Sequence, residues 1–429
     1  MKIRKVFLVL FLVPVLLSCK KDTGEPPVLQ VFSPSDFLIC GVGDTLSVSG
    51  NVQSASSVDY VKIVLTNYNY VTMCPAITIY PTTENYTFNS EYILSNQNLE
   101  SGNYFLLIEA VNQYGYDRVY LHLSVSGIQK ESRSLMAFCY EKSNGNTHIY
   151  KVDSLLLYSL FKQIPGDFHE GAISSADQLI FSMGRYNGNL EFIDASDGSI
   201  VQQIDVINNP PFPYFESLTY SNGRLIVAYY DGRIDGYSGN GSYKFSYSVE
   251  NYRAKRVRYD GTYLLAVLEY YIGGSMNVGV IWENSGFLKD VIYTTYSVED
   301  LYRVIGNDVA VFCNESNQPT VKTLNTYYMN ITQRKILPAG IIYSVVQVNS
   351  DRYLISHSDG ILVYDYNSNT SNEIGNATMF GKMVYDETDN IIYMASGRDI
   401  NAYSYPAGNW IGTLVLPDSI RDIQILYNR

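Results

Sequence analysis

A segment of about a dozen residues recurs six times along this sequence, and it limits the possible folds more than any other feature. Each copy has an apolar strand, a tight turn containing Gly, Asn or Asp, and a second apolar strand. The copies are 171–182, 217–228, 256–267, 301–312, 345–356 and 383–394. Asn222-Gly223 and Asp260-Gly261 occupy two of the turns, where a type I′ hairpin needs positive φ at both central residues. The chain therefore repeats one β-hairpin unit about every 40 residues.

A repeat of this length is typical of the four-stranded blades of a β-propeller. A further unit begins at Leu135 and lacks an innermost strand, whereas the C-terminal segment 420–427 is a strand without a partner. Pairing these two would close the ring and cover a free sheet edge. The sequence predicts a seven-bladed propeller over residues 128–429, with six or eight blades as alternatives.

Residues 28–127 contain about seven short β-rich runs separated by turn residues, a pattern typical of a β-sandwich. The run from Ser101 to Gly115 opens with Gly-x-Tyr and closes with Asn-x-x-Gly. It resembles the penultimate strand of bacterial immunoglobulin-like modules. This resemblance implies that the hydroxyl of Tyr104 bonds back to the backbone. We therefore expect an all-β protein, with a small immunoglobulin-like sandwich followed by the propeller.

Composition agrees with this fold class and argues against one class of partner. The 429 residues include 40 Tyr and 31 Gly, and only 17% are charged, which favours strands over solvated helices. The formal net charge is −12. Proteins that bind nucleic acids need a basic face to neutralise phosphates, so we expect no nucleic-acid partner.

The N-terminus predicts a lipid-anchored protein of the cell envelope. The cationic residues 1–5 precede an apolar run from Val6 to Leu17, which is shorter than the roughly 20 residues that span a bilayer. The run ends in Leu-Leu-Ser-Cys19 and resembles the lipobox of bacterial lipoproteins. That resemblance implies removal of residues 1–18 and acylation of the Cys19 thiol. A secretory signal that has a Cys by chance is the alternative.

The polar segment after the lipobox suggests where the anchor lies. Its Cys19-Lys-Lys-Asp start resembles lipoproteins of the Bacteroidetes, and Lys directly after the Cys favours the outer membrane in that family. Residues 19–27 would form a lipidated linker, with membrane lipid as the expected partner. The sequence leaves open whether the protein faces the periplasm or the medium.

The propeller half resembles the broad group of quinoprotein-like and WD40-like seven-bladed propellers. Residues 192–202 are similar to the pyrroloquinoline-quinone repeat, which runs Asp-Ala-x-Thr-Gly-x-x-x-Trp. Asp197 replaces the Thr, and Gln202 stands where the docking Trp belongs. The chain has only Trp282 and Trp410. We therefore expect no quinone cofactor and no dehydrogenase activity.

The remaining cysteines and the histidines give no metal signature. Cys40 and Cys74 fall in the predicted sandwich, where an oxidising envelope would allow a disulfide between them. Cys139 and Cys313 lie in apolar runs and are expected to be buried strand residues. The sequence has no Cys-x-x-Cys motif, and its four His are scattered, so we expect no metal site.

Residues just before each innermost strand should lie at one mouth of the propeller channel. Three are acidic, three are basic and one is Ser. This set suits a polyhydroxylated or zwitterionic ligand; the alternatives are ion pairs that hold the rim together and strand ends that are simply solvated. They are Glu170, Glu216, Lys255, Asp300, Ser344, Lys382 and Arg421. Aromatic side chains near this rim would stack on sugars or fill the space between blades. They include Phe168, Tyr214, Phe215 and Phe380.

Three functional classes fit these features, and the fold alone does not choose among them. The leading hypothesis is a non-enzymatic binding or adhesion module whose rim engages a glycan or a protein, because no catalytic motif is found. The second is a scaffold that assembles proteins at the outer membrane. The third is a propeller enzyme, such as a lyase or hydrolase, which a clustered pair of carboxylates with a perturbed pKa would favour.

Overall fold

The computed structural model describes residues 24–141, 143, 145–207, 211–375 and 380–429. The predicted signal peptide, residues 1–18, and the predicted lipidation site Cys19 lie outside the described residues. Within the described ranges all regular elements are β-strands, and none of these residues forms a helix suited to crossing a membrane. The all-β prediction is confirmed. The chain divides into two compact units, with the boundary after Gln129.

The first unit contains two sheets. A three-stranded antiparallel sheet is formed, in spatial order, by β1 (Val28–Ser33), β3 (Thr45–Gln53) and β6 (Asn85–Ile93). A five-stranded sheet is formed, in spatial order, by β2 (Leu38–Gly41), β8 (Gly115–Ser126), β7 (Gly102–Asn112), β4 (Val58–Thr66) and β5 (Ile77–Ile79). β2 runs parallel to β8, and the other pairs are antiparallel.

One apolar core joins the two sheets, because alternate residues of each strand point inward. Val48 and Val52 of β3 pack in the same buried cluster as Ile63 of β4 and Ile108 of β7. Burial of this continuous apolar surface stabilises the unit.

Two predictions concern polar groups in this unit. The hydroxyl of Tyr104 donates a hydrogen bond to the carbonyl oxygen of Glu100 at 2.9 Å, as the resemblance implied. Cys40 and Cys74 are both buried as free cysteines. The structure therefore contains separate thiols where the sequence allowed a disulfide.

The described residues of the second unit form seven four-stranded antiparallel sheets. One comprises β9 (Ser132–Glu141), β10 (Asn146–Val152), β11 (Tyr158–Pro165) and the C-terminal β36 (Ile420–Tyr427). The next sheet comprises β12 (Glu170–Ser174), β13 (Leu179–Met183), β14 (Leu190–Asp194) and β15 (Ile200–Ile204). It is followed by the sheet of β16 (Phe215–Ser221), β17 (Arg224–Tyr229), β18 (Arg233–Ser238) and β19 (Tyr243–Ser248). The fourth comprises β20 (Tyr252–Tyr259), β21 (Tyr263–Tyr270), β22 (Met276–Trp282) and β23 (Leu288–Tyr293). The fifth sheet comprises β24 (Ser297–Arg303), β25 (Asp308–Glu315), β26 (Gln318–Asn325) and β27 (Asn330–Ile336). The sixth comprises β28 (Ile342–Gln347), β29 (Arg352–His357), β30 (Gly360–Asp365) and β31 (Thr370–Ile374). The seventh comprises β32 (Lys382–Asp386), β33 (Ile391–Ser396), β34 (Asp399–Ser404) and β35 (Trp410–Val415).

The innermost strands of these sheets contact one another in a closed cycle. The cycle runs β12, β16, β20, β24, β28, β32, β36 and back to β12. β36 pairs antiparallel with β9, so the C-terminal strand completes the sheet that begins at residue 132, as predicted. The second unit is thus a propeller-like ring of small sheets, closed by pairing of its two ends.

The predicted hairpins match the first two strands of six sheets, but the two marked turns differ. Asn222 and Gly223 have φ of 47° and 72°, as a type I′ turn requires. At the second turn Gly261 alone has positive φ, at 97°. There the Asp260 carboxylate accepts hydrogen bonds from the backbone N–H groups of Thr262 and Tyr263. The N–H of Asp260 donates to the carbonyl oxygen of Tyr263 at 3.0 Å, so Gly261 and Thr262 are the central residues of this turn, and the Asp side chain stabilises it in place of the type I′ turn.

Candidate functional site

A cavity of about 440 Å³ lies within the ring of innermost strands, and we call it the central cavity. Residues from all seven innermost strands line it. Its charged lining residues are Glu170, Arg256, Arg258, Asp300, Lys382 and Asp422. A second cavity of about 540 Å³ is adjacent to the central cavity, because Tyr220, Arg258, Tyr302 and Gln347 line both of them.

Asp300 is the centre of an ion-pair cluster in the cavity wall. The Nη2 atom of Arg258 lies 3.1 and 3.0 Å from its two carboxylate oxygens, and Nη1 of Arg256 lies 3.5 Å from Oδ2. The guanidinium of Arg258 also lies 4.1 Å from the ring centre of Tyr302. Burial opposes the charge of Arg258, but the Asp300 carboxylate and Tyr302 outweigh it and raise the pKa of this guanidinium. The cluster fixes both arginines in the wall.

Asp422 and Glu170 form a second acidic region on the neighbouring part of the wall. Asp422 is 6% exposed and accepts a hydrogen bond from the N–H of Gly171 at 3.1 Å. Burial raises the pKa of the Asp422 carboxyl; Lys382 opposes that shift and the Glu170 carboxylate adds to it. A carboxyl group with a raised pKa is a better proton donor near neutral pH than an ordinary Asp.

The structure brings four of the seven predicted rim residues into the central cavity. They are Glu170, Asp300, Ser344 and Lys382. The other three are Glu216, Lys255 and Arg421. Each is the extra residue of a β-bulge near the start of an innermost strand, with no opposite residue in the neighbouring strand. Because side chains alternate between faces, an extra residue turns the next one toward the cavity. Arg256 and Asp422 line the wall for this reason.

Glu216 and Lys255 are partners in an ion-pair network. Oε2 of Glu216 lies 2.7 Å from Nζ of Lys255 and 3.1 Å from Nη2 of Arg185. The carboxylate is almost completely buried, whereas Arg421 is exposed. Glu216 and Lys255 therefore match the alternative in which charges hold neighbouring strands together.

The aromatic candidates separate into buried and exposed groups. Phe168 and Phe215 are buried between sheets, at 9% and 0% exposure, so they are not available at the rim. Tyr214 is half-buried. Phe380 is 41% exposed and stacks on Tyr343, with 4.4 Å between ring centroids. Tyr343 lines the central cavity and was missed by the sequence analysis, although it directly precedes a predicted rim residue.

One group of side chains in the described ranges has the spacing of metal ligands. Glu141, His148 and Asp418 each offer one ligand atom, and these atoms lie within 4.8 Å of one another. Nδ1 of His148 is 2.7 Å from Oδ2 of Asp418, and the hydroxyl of Tyr150 donates to the same oxygen at 2.6 Å. Burial opposes ionisation of Asp418, but these two hydrogen bonds outweigh it and lower its pKa.

These contacts join the two ends of the second unit. His148 and Tyr150 belong to β10, whereas Asp418 lies two residues before the start of β36. The Asp418 carboxylate is already satisfied by protein donors, so we interpret the trio His148, Tyr150 and Asp418 as a latch on the closed ring. We call it the ring latch.

The sequence matches no protein-family model and no curated protein. Among solved structures it is similar to a functionally unknown protein of Desulfotomaculum acetoxidans, with 14% identity over 68% of this chain and 98% of that one, and a TM-score of 0.49. It is also similar to a quinoprotein alcohol dehydrogenase-like protein of Bacteroides thetaiotaomicron, with 12% identity over 94% of this chain and 99% of that one, and a TM-score of 0.47. Likenesses this distant carry no information about activity or ligand.

Proposed function

We propose that this chain is an outer-membrane lipoprotein, anchored through Cys19, that works as a non-enzymatic binding or adhesion module. Its first unit is an immunoglobulin-like sandwich, and its second is a seven-bladed, quinoprotein-like propeller. The ligand is a glycan that binds where Tyr343 and Phe380 lie beside the central cavity.

The exposed stack of Tyr343 and Phe380 is the observation that carries this proposal. Phe380 is held by Tyr343 and is still 41% exposed, so a ring face is available to a ligand. Tyr343 also lines the central cavity, together with the polar residues Ser344 and Lys382. Sugars present apolar C–H faces to aromatic rings and hydroxyl groups to polar side chains, and sites that combine the two fix both position and orientation.

The charges of the cavity wall favour a neutral ligand over an ionic one. Three carboxylates and three cationic groups line the wall. Asp300 is paired with Arg256 and Arg258, and Lys382 lies close enough to Asp422 to oppose the rise in the pKa of this carboxyl that burial causes. Since these charges compensate one another, the wall offers donors and acceptors without a strong field of either sign.

A thermal-unfolding screen of the full chain in detergent tests the proposal. Neutral, acidic and amino-sugar oligosaccharides are compared, and a neutral one present at 100 times its Kd should stabilise the protein by about 2.7 kcal/mol. Phe380→Ala should abolish the part of that shift that comes from binding at the central cavity. The matched control is Phe287→Ala, which removes a ring that is 75% exposed in the turn between β22 and β23. This variant should show the same thermal shift as the wild type. No shift with any sugar would contradict the glycan proposal and favour the assembly scaffold.

A second candidate function is a lyase or hydrolase that acts on the same glycan class. The neighbouring carboxyl groups of Asp422 and Glu170 favour it, because burial raises the pKa of Asp422 and suits this carboxyl to donate a proton to a substrate. Incubation of each bound oligosaccharide with the protein, followed by chromatography of the products, distinguishes the two functions. Turnover that disappears in Asp422→Asn supports the enzyme, whereas binding without turnover supports the binding module.

A further inference from the structure

Six aromatic rings form a continuous surface on the outer side of the five-stranded sheet of the first unit. Neighbouring ring centroids are 4.7 to 6.2 Å apart. The rings belong to Phe37, Tyr68, Tyr70, Phe105, Tyr120 and His122. We call this surface the aromatic face. Phe37, Tyr68 and Tyr70 are 73%, 56% and 63% exposed, so most of their area faces solvent.

Two adjacent strands position the middle of the aromatic face. Phe105 of β7 lies directly opposite His122 of β8, and their ring centroids are 5.0 Å apart. Tyr120 precedes His122 by two residues and therefore projects from the same side of the sheet. Loops supply the rest. Phe37 precedes β2, and its ring stacks on His122 at 4.7 Å, whereas Tyr70 lies between β4 and β5.

The backbone is strained at two of these rings. Phe37 and Tyr70 have φ of 60° and 59°, in the left-handed region that residues with a Cβ disfavour. Bulky residues in this region are rare and are concentrated at functional sites. Burial does not offset the strain, because both side chains are among the most exposed apolar groups of the unit. Phe37 lies in a turn, and the N–H of Tyr70 closes another turn by donating to the carbonyl oxygen of Asn67 at 2.9 Å, so turns present both rings to solvent.

The charged groups around the aromatic face are paired with one another. Nδ1 of His122 lies 3.0 Å from Oδ1 of Asp36, and that oxygen also accepts the backbone N–H of His122 at 2.6 Å. At the other side, Arg118 pairs with Glu109, and its guanidinium lies 4.1 Å from the ring centre of Tyr116. The surface thus combines ring faces, hydroxyl groups and compensated ion pairs.

We propose that the aromatic face is a binding surface for a neutral glycan chain. Successive sugar rings would stack on Phe37, Phe105 and Tyr70, because the C–H face of a sugar fits an aromatic ring. Tyrosine hydroxyls can donate and accept hydrogen bonds with sugar hydroxyls, and the exposed carboxylate of Asp36 can accept them. The site shares no residue with the central cavity and does not depend on the function proposed for it.

Binding of linear hexasaccharides to the full chain in detergent tests this proposal by calorimetry. The probes are β-1,4-linked glucose and mannose hexasaccharides, with a hyaluronan hexasaccharide as the acidic comparison. Phe37→Ala and Tyr70→Ala should each weaken binding of a neutral probe about tenfold, which corresponds to about 1.4 kcal/mol. The matched control Tyr80→Ala removes a ring that is 73% exposed in the same unit but outside the aromatic face, and it should bind normally.

Two further variants distinguish a loss of binding at the aromatic face from unfolding of the protein and from a loss of binding at the central cavity. Phe37→Gly relieves the left-handed strain, so it should lose binding without a lower melting temperature. Phe380→Ala should leave binding at the aromatic face unchanged, even if it abolishes binding at the central cavity. The proposal is overturned if no neutral hexasaccharide binds, if the hyaluronan probe binds equally well, or if Tyr80→Ala weakens binding as much as Tyr70→Ala.

Discussion

Replacing Asp418 by Asn should weaken the closure of the second unit. One oxygen of Asp418 receives hydrogen bonds from Tyr150 at 2.6 Å and His148 at 2.7 Å, and its side chain is only 12% exposed. These bonds connect β10 with the segment that leads into β36, across 270 residues of sequence. Their loss therefore acts on the pairing of the two ends of the ring.

The expected loss of stability follows from the charge of the acceptor. A hydrogen bond to a charged group contributes about 1.5–3 kcal/mol, and a neutral one about 1 kcal/mol. Asn retains a carbonyl oxygen for one neutral bond, so Asp418→Asn should cost about 2–5 kcal/mol. At about 2 °C per kcal/mol for a unit of this size, the melting temperature should fall by about 4–10 °C.

The effect should depend on pH with a definite sign. The pKa of Asp418 is lower in the folded protein than in the unfolded chain, where an Asp titrates near about 4. Its contribution to stability is therefore complete above about pH 4 and is lost as the pH falls through the lowered folded pKa. The difference between wild type and Asp418→Asn should be constant near neutrality and shrink in strong acid.

Thermal unfolding followed by circular dichroism at pH 7.5 and at acidic pH measures both effects. Asp389→Asn is the matched control, because it makes the same chemical change at an exposed position in the turn between β32 and β33. If Asp418→Asn melts within about 1 °C of Asp389→Asn at pH 7.5, the ring latch does not contribute as described.

Three further predictions concern buried ionisable groups. Arg258→Met should lower the free energy of unfolding in urea by about 3–5 kcal/mol, because Asp300 loses its main buried partner. Combining Arg258→Met with Asp300→Leu should recover most of this loss, and a double variant as unstable as the single one would refute the reasoning. Asp422→Asn should stabilise the protein as the pH rises through the raised pKa of Asp422 and change little in acid, which unfolding curves across pH will check. Burial raises the pKa of Cys139 to about 12, so a disulfide reagent at pH 8 should label it only after unfolding, and rapid native labelling of Cys139 would contradict its burial.

Much of the architecture was predictable because its signals are local. The six hairpins follow from apolar runs and turn residues within about a dozen residues each, and they coincide with the first two strands of six sheets. The pairing of β36 with β9 was also predictable, since an unmatched strand at each end of a repeat has one obvious partner. The bond between Tyr104 and Glu100 spans only four residues.

The site was predicted less well because a one-residue bulge leaves no mark in the hydrophobic pattern. Glu216, Lys255 and Arg421 occupy bulge positions, and the residues that follow the last two, Arg256 and Asp422, line the cavity wall instead. Bulges form where a strand must bend to fit its neighbours, which depends on packing between sheets rather than on local preference.

The sequence by itself determined the strand periodicity, the repeat and the pairing that closes the ring. Tertiary structure alone decided which aromatic rings are buried, as with Phe215, and which face solvent, as with Phe37 and Phe380. It also brought His148 to Asp418 across 270 residues. The physical reason is that secondary structure follows short-range alternation of apolar and polar residues, whereas exposure and ion pairing depend on how distant strands are packed together.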